Sequence, residues 1–243
     1  MELSTKILPY IEGKEFSELI KMKIEENGEI KDRMDFVEEI VQGKKVIHVG
    51  CLDHLPLIED KIRNNRWFHN RITKISSECL GIDINQEGIE FVKSKFDISN
   101  ICYGDIECEQ KIQSISSKYW DYIVFGEILE HVNNPVSFLK SLIYKYEENI
   151  GSIIITVPNA FRAGNIKSIF QNLELINSDH RYWFSPYTIW KIVHQAGLQV
   201  EAMQMCQFSA TSGLKGKVKN IVLKRYPLMA EDIVVICRRR INY

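Results

Sequence analysis

The chain has 243 residues, 45% hydrophobic and 26% charged, with a net charge of −1. That balance suits a folded globular protein and gives no global attraction to nucleic acid or an anionic membrane. No apolar run reaches the length of a spanning helix, and Met1-Glu2-Leu3-Ser4 lacks the layout of a secretion signal, so a cytoplasmic protein with no membrane span is expected.

Residues 1–43 read as an N-terminal helical cap and 44–243 as the main domain. Phe16, Leu19, Ile20 and Ile24 recur at helical spacing and predict a first helix stopped by Asn27-Gly28. Met34, Val37, Ile40 and Val41 predict a second, ending at Gly43. Strand-like runs follow at Val46–Val49, Cys79–Asp83, Ile101–Tyr103 and Tyr122–Phe125. Between them, helices are expected over Leu55–Ile62, Trp67–Ser76 and Gln86–Phe96, while Cys108–Ser117 is ambiguous.

Asn134-Pro135 places a capping side chain before a first-turn proline, with Phe138, Leu139, Leu142, Ile143 and Tyr146 as the buried stripe. Ile153–Val157 is the fifth strand. A loop with a short helix near Ile166–Phe170 precedes a Ser185-Pro186-capped helix stopped by Gly197. Leu198–Met205 and Ile233–Cys237 complete seven strands, and residues 209–230 form a helix or a surface arm. Strands alternating with helices predict an α/β fold with a mostly parallel sheet covered on both faces. Lys215, Lys217, Lys219, Lys224, Arg225 and Arg238–Arg240 read as solvated surface. The six cysteines form no Cys-x-x-Cys pair, so reduced structural thiols are expected and no metal ligand set is legible.

The first four strands end in glycine, an acid or both: Gly50, Gly81-Ile82-Asp83, Gly104-Asp105 and Gly126-Glu127. In a parallel sheet these ends share one edge, where ligands bind. A strand-end acid such as Asp83 suits ribose hydroxyls, and capping the next helix is its plainer use. A dinucleotide cradle would need Gly-x-Gly-x-x-Gly, which Gly50-Cys51-Leu52-Asp53-His54 does not supply, so a nicotinamide-dependent oxidoreductase is disfavoured.

The fourth end continues as Phe125-Gly126-Glu127-Ile128-Leu129-Glu130-His131-Val132, with Pro135 beyond. Together with Asp179-His180-Arg181-Tyr182-Trp183-Phe184-Ser185-Pro186, it resembles class I S-adenosylmethionine-dependent methyltransferases of the ubiquinone-biosynthesis-like, small-molecule subgroup. More loosely, His48–His54 with Trp67-Phe68-His69 is similar to methyltransferases encoded among glycan-assembly genes. The resemblance implies a Rossmann-like doubly wound sheet and S-adenosylmethionine as cofactor. It implies that Gly50 and Cys51 lie along the methionine moiety, and that Asp83 and Ile84 meet the ribose and flank adenine. It places Asp105 and Ile106 at the adenine edge, and Phe125 and Gly126 on the path to the sulfonium. His48, Leu52 and His54 depart from the subgroup, which usually has an acid and two glycines there. That departure leaves a non-catalytic cofactor-binding module as the alternative.

The expected reaction is methylation of a small-molecule hydroxyl or amine, such as that of a sugar or glycan precursor, with no nucleic-acid partner. Histidine titrates in the range a general base needs. His131 and His180 are the candidate bases, and Phe161, Tyr182, Trp183, Phe184 and Tyr187 a candidate aromatic wall.

Overall fold

The computed structural model describes residues 6–24, 30–208 and 213–240. Its sheet has seven strands in the order β3-β2-β1-β4-β5-β7-β6. They are β1 (Lys45–Val49), β2 (Glu78–Asp83), β3 (Ile101–Tyr103), β4 (Trp120–Gly126), β5 (Ile150–Pro158), β6 (Leu198–Cys206) and β7 (Asp232–Arg239). All pairings from β3 through β5 are parallel, whereas β7 runs antiparallel to both β5 and β6. The strand order reverses at β1 and β4, which opens a crevice at their carboxyl ends.

Period-two alternation divides the core between two faces. Ile47, Ile123, Phe125, Ile153 and Ile155 pack in one cluster. Val46, Val124, Ile154 and Val234 pack in the other, with Val37 and Val41 of helix α2 (Arg33–Val41). The Asp32 side chain caps α2 by accepting from the Met34 and Asp35 amides at 2.8 and 3.2 Å.

The long connection between β1 and β2 contains α3 (Leu55–Arg63) and α4 (Phe68–Ile75). Buried Trp67 joins Cys51, Ile58, Ile89, Val92 and Ile101 in a third cluster, and its indole N–H donates to the Cys51 carbonyl at 2.8 Å. This bond ties the insertion to the loop after β1. Next come α5 (Gln86–Phe96), the one-turn α6 (Gln113–Ser116) and α7 (Pro135–Tyr146). Asn134 caps α7 by accepting from the Ser137 amide at 3.1 Å. The chain then forms α8 (Ala163–Ile169), α9 (Pro186–Gln195) and α10 (Gly213–Arg225).

The N-terminal segment departs from its periodicity. The first helix is α1 (Leu8–Glu12), whose Ile11 is buried in the main core. The described part of 16–24 is not helical, and Phe16 and Leu19 are 86% and 76% exposed. Helical spacing needs a partner surface to bury its apolar stripe, and these two side chains have none. The expected Asn27-Gly28 stop lies outside the described residues. Among the described residues, no helix is long and apolar enough to cross a membrane.

Candidate active site

The carboxyl ends of β1, β2 and β4 and the turn after β3 open on one cavity of about 970 Å³. Gly50, Cys51, Asp83, Ile84, Asp105, Ile106 and Gly126 all line it, as do His131 and His180. Seven of the eight residues expected to meet a cofactor therefore share one cleft. Phe125 does not: it is fully buried and packs edge-on against Phe138, with ring centroids 5.3 Å apart. Strand alternation turns its side chain into the core, so only its neighbour Gly126 faces the cleft.

Gly50 sits at φ +65°, and a Cβ there would lie 2.0 Å from Ile128 Cδ1. Both the left-handed backbone and the close approach of the loop after β4 require glycine. Cys51 contributes mainly through its backbone, because its side chain is buried in the third cluster.

Asp83 is 8% exposed. One of its carboxylate oxygens accepts from the Leu52 amide at 2.9 Å and the other from the Asn85 amide at 3.0 Å. Burial raises its pKa, against the opposing pull of the Leu52, Asn85 and Ile84 amides. Asn85, not Asp83, caps α5, since its side chain accepts from Gly88 N at 2.9 Å. Leu52 packs toward Gly88 and the third cluster while its amide steadies Asp83. The loop after β1 is thus built into the insertion rather than projecting freely. Asp105 accepts from the Glu107 amide at 2.8 Å, a local turn at the far end of the cleft.

The β4 end is the most charged part of the site. Glu127 adopts φ +57°, uncommon for a residue with a side chain. Its amide donates to the Thr156 carbonyl and hydroxyl oxygens, each at 3.1 Å. Its carboxylate pairs with buried Arg33 at 2.7 Å, and Arg33 also faces Asp232 at 3.6 Å. The Arg33 guanidinium lies 5.1 Å from the Phe208 ring centroid. Burial outweighs this cation at Asp232, whose pKa is pushed up to about 7.

Glu130 is completely buried, and neither carboxylate oxygen has a hydrogen-bond partner. Burial, aided by the Glu127 charge, pushes its pKa up to about 8. His131 Nδ1 lies 3.1 Å from the Asp179 carbonyl oxygen. That oxygen can only accept, so Nδ1 donates to it, and in the neutral ring Nε2 is the nitrogen left to accept.

The His180 ring packs edge-on to His131 with centroids 4.8 Å apart. Burial, then the His131 charge, lowers the His180 pKa. The two histidine loops are joined further. The Arg181 amide donates to the Glu130 carbonyl at 2.7 Å, the Arg181 side chain donates to the His131 carbonyl, and the Tyr182 hydroxyl donates to the Asn133 carbonyl at 2.7 Å.

Of the expected aromatic wall, only Trp183 lines the cleft, with the Arg162 guanidinium 4.8 Å from its ring centroid. Phe184 is fully buried, and Tyr187 packs against the main core. Phe161 is exposed, and Tyr182 is tied down by its hydroxyl. Arg33 and Asp232 went unread in the sequence. An arginine at the start of an amphipathic helix and an acid at the start of a late strand carry no local signal of burial beneath a distant cleft. Glu130 lies inside the motif that identified the fourth edge, yet its burial is a tertiary property.

A switch-point cleft bordered by Gly50, Asp83, Asp105 and Gly126, with polar groups at its far end, defines a class I methyltransferase architecture. The chain belongs to a methyltransferase domain family, whose sequence profile matches residues 23–203. It is an S-adenosylmethionine-dependent methyltransferase.

Solved structures agree on the fold. A candidate methyltransferase from Bacillus halodurans superposes with a TM-score of 0.54 at 12% identity, covering 86% of this chain and 99% of that one. A candidate S-adenosylmethionine-dependent methyltransferase from Listeria monocytogenes gives 0.50 at 13% identity, covering 86% and 97%. The small RNA methyltransferase HEN1 gives 0.52 at 15% identity over 86% of this chain, which spans only 25% of that enzyme. At such identities the likeness is one of fold alone. No curated protein matches the sequence.

Proposed function

We propose that the protein methylates a hydroxyl or amine of a small polar molecule, of which a sugar or glycan precursor is the best example. The observation that carries this reading is the continuous cleft from Asp105, past Gly50 and Gly126, to His131 and His180. Its volume of about 970 Å³ is ample for a nucleoside cofactor with a small acceptor beside it.

The residues present fit the cofactor. Asp83 is a buried carboxylate whose amide contacts leave further acceptor lone pairs for ribose hydroxyls. Asp105 and Ile106 would meet the adenine edge, and Ile84 would flank the base. Gly50 and Cys51 would present backbone to the methionine portion, and Gly126 would leave the approach to the sulfonium open. When bound, S-adenosylmethionine supplies a methyl carbon already activated by positive sulfur.

What remains for the chain is to hold the acceptor in line with that carbon and to take its proton. Orientation of this kind supplies up to roughly 7–11 kcal/mol in favourable systems. His131 Nε2 is the first proton acceptor, since the Asp179 contact leaves its lone pair free. His180, kept neutral by burial, is the second. Trp183 offers one aromatic face among polar neighbours, which suits the mixed surface of a sugar.

Calorimetry with S-adenosylhomocysteine tests cofactor placement. Asp83→Asn keeps the shape but loses the charge, and should weaken binding about 10–100-fold, as expected for charge-assisted hydrogen bonds. Unchanged affinity in that variant overturns the assignment. Methyl transfer to sugar nucleotides and glycosides, but not to short RNA, is the expected acceptor pattern. Transfer to RNA alone overturns the small-molecule reading.

A further inference from the structure

We propose that Glu130, His131 and His180 hold a divalent first-row transition-metal ion at the acceptor end of the cleft. One ligand atom from each of these residues lies within 4.8 Å of the others. Two ligands about 2.1 Å from a shared ion are at most about 4.2 Å apart, so a small inward turn of the side chains closes the set.

The buried carboxylate is the second, independent observation. Glu130 has no solvent exposure, and neither of its oxygens has a hydrogen-bond partner. A buried polar group in that state lacks the partner that burial ordinarily requires. The nearby guanidinium of Arg33 is already paired with Glu127 and faces Asp232. Arg33 is thus engaged by two other carboxylates, and a bound metal ion would give Glu130 the partner it lacks. His180 adds a buried Nδ1 that also has no hydrogen-bond partner.

The ligands are pre-oriented from behind. The Asp179 carbonyl fixes the His131 tautomer and aims Nε2 away from itself. The Arg181 amide holds the backbone of Glu130, and the Arg181 side chain holds that of His131, so the two ligand loops are pinned together.

Two imidazoles and one carboxylate favour zinc, iron, cobalt or manganese over calcium or magnesium, which prefer oxygen ligands. Three protein ligands leave coordination positions free. Because His131 and His180 line the cleft, those positions face the acceptor. An acceptor oxygen bound there would lose its proton more readily, since a metal ion lowers the pKa of a bound hydroxyl, and in the ion-loaded protein His131 and His180 would act as ligands rather than as bases. Only this last consequence rests on the methyl-transfer reading; the site itself does not.

The test uses the full chain, stripped by chelation and titrated with Zn²⁺ by calorimetry and with Co²⁺ by visible absorption. One ion per chain is expected. Glu130→Gln and His180→Ala should each weaken it at least about 10-fold, whereas His194→Ala, outside the cluster, should bind as the parent does. Circular dichroism and S-adenosylhomocysteine binding monitor folding of the variants. X-ray absorption of the zinc-loaded parent, which needs no variant, should show two imidazoles in the coordination sphere. No saturable ion, a sphere without imidazole, or equal binding by all variants overturns the proposal. Metal binding without methyl transfer would leave the site standing and count against the proposed reaction alone.

Discussion

Two histidine pairs in this molecule have the same chemistry and opposite surroundings. His48 and His69 stack with centroids 5.6 Å apart, between the sheet and the insertion after β1. Both are nearly fully buried, and Phe68 and Trp67 pack edge-on or tilted against them at 5.1 and 5.3 Å. His131 and His180 meet edge-on at 4.8 Å on the cleft wall, above a buried carboxylate and beside a second charged network. Burial drives the His48 pKa well below its ordinary value and that of His69 down to about 4. The first pair is therefore neutral at ordinary pH; His48 borders the cleft, and His69 is packed behind it. Both members of the second pair line the cleft, where the proposed reaction needs a base. Surroundings, not residue type, separate the two pairs.

The comparison is broken most directly at the cleft pair. His131→Ala should lower turnover about 10²–10⁴-fold, the usual worth of a positioned base. S-adenosylhomocysteine affinity should change little, so the loss appears in kcat under saturating cofactor. Equal losses in kcat and cofactor affinity would place His131 in cofactor binding instead.

Arg33→Ala strikes beneath the same region. It removes the cation paired with Glu127 and facing Asp232, and should cost about 3–5 kcal/mol in denaturant unfolding, as when one partner of a buried ion pair is lost. A loss below 1 kcal/mol would mean that protonation of the acids compensates.

The buried pair should control acid sensitivity. An unfolded imidazole takes a proton as pH falls through about 6.5, whereas folded His69 resists until about 4. Protons then favour the unfolded chain, so this contribution is complete above pH 6.5 and is lost as pH falls from there to 4. For His69 alone the change is about 3 kcal/mol. Unfolding midpoints across that range should fall less steeply in His69→Phe than in the parent. Equal slopes would remove His69 from the account.

The smallest effect is expected at the N-terminus. Replacing both Phe16 and Leu19 by serine should change stability by only about 0.5 kcal/mol, because exposed substitutions carry little packing loss. A loss of several kcal/mol would restore the buried helical stripe that their spacing suggests.

Legibility in the sequence followed how local each signal was. α5 spans Gln86–Phe96 and β3 spans Ile101–Tyr103 as their patterns predicted, and Asn134 and Ser185 cap their helices as expected. Those signals depend on side chains within a turn or two of each other. Phe16–Ile24 failed because periodicity records an apolar stripe without showing whether a surface exists to cover it. Phe125 was misplaced because one residue along a strand exchanges cleft for core. Of the aromatic wall only Trp183 reached the cleft, since burial of the others depends on helices far away in sequence.

The sequence by itself determined the seven-strand alternation, the four strand ends and the gathering of Gly50, Asp83, Asp105 and Gly126 at one edge. Parallel strands leave no other place for their carboxyl ends. Only the tertiary structure decided that Arg33 lies beneath that edge and that Glu130 is buried without a partner. It also decided that His180, some fifty residues beyond His131, closes against it. Those facts depend on which loops share a volume, and on what the low dielectric of that volume does to charge, neither of which short-range pattern encodes.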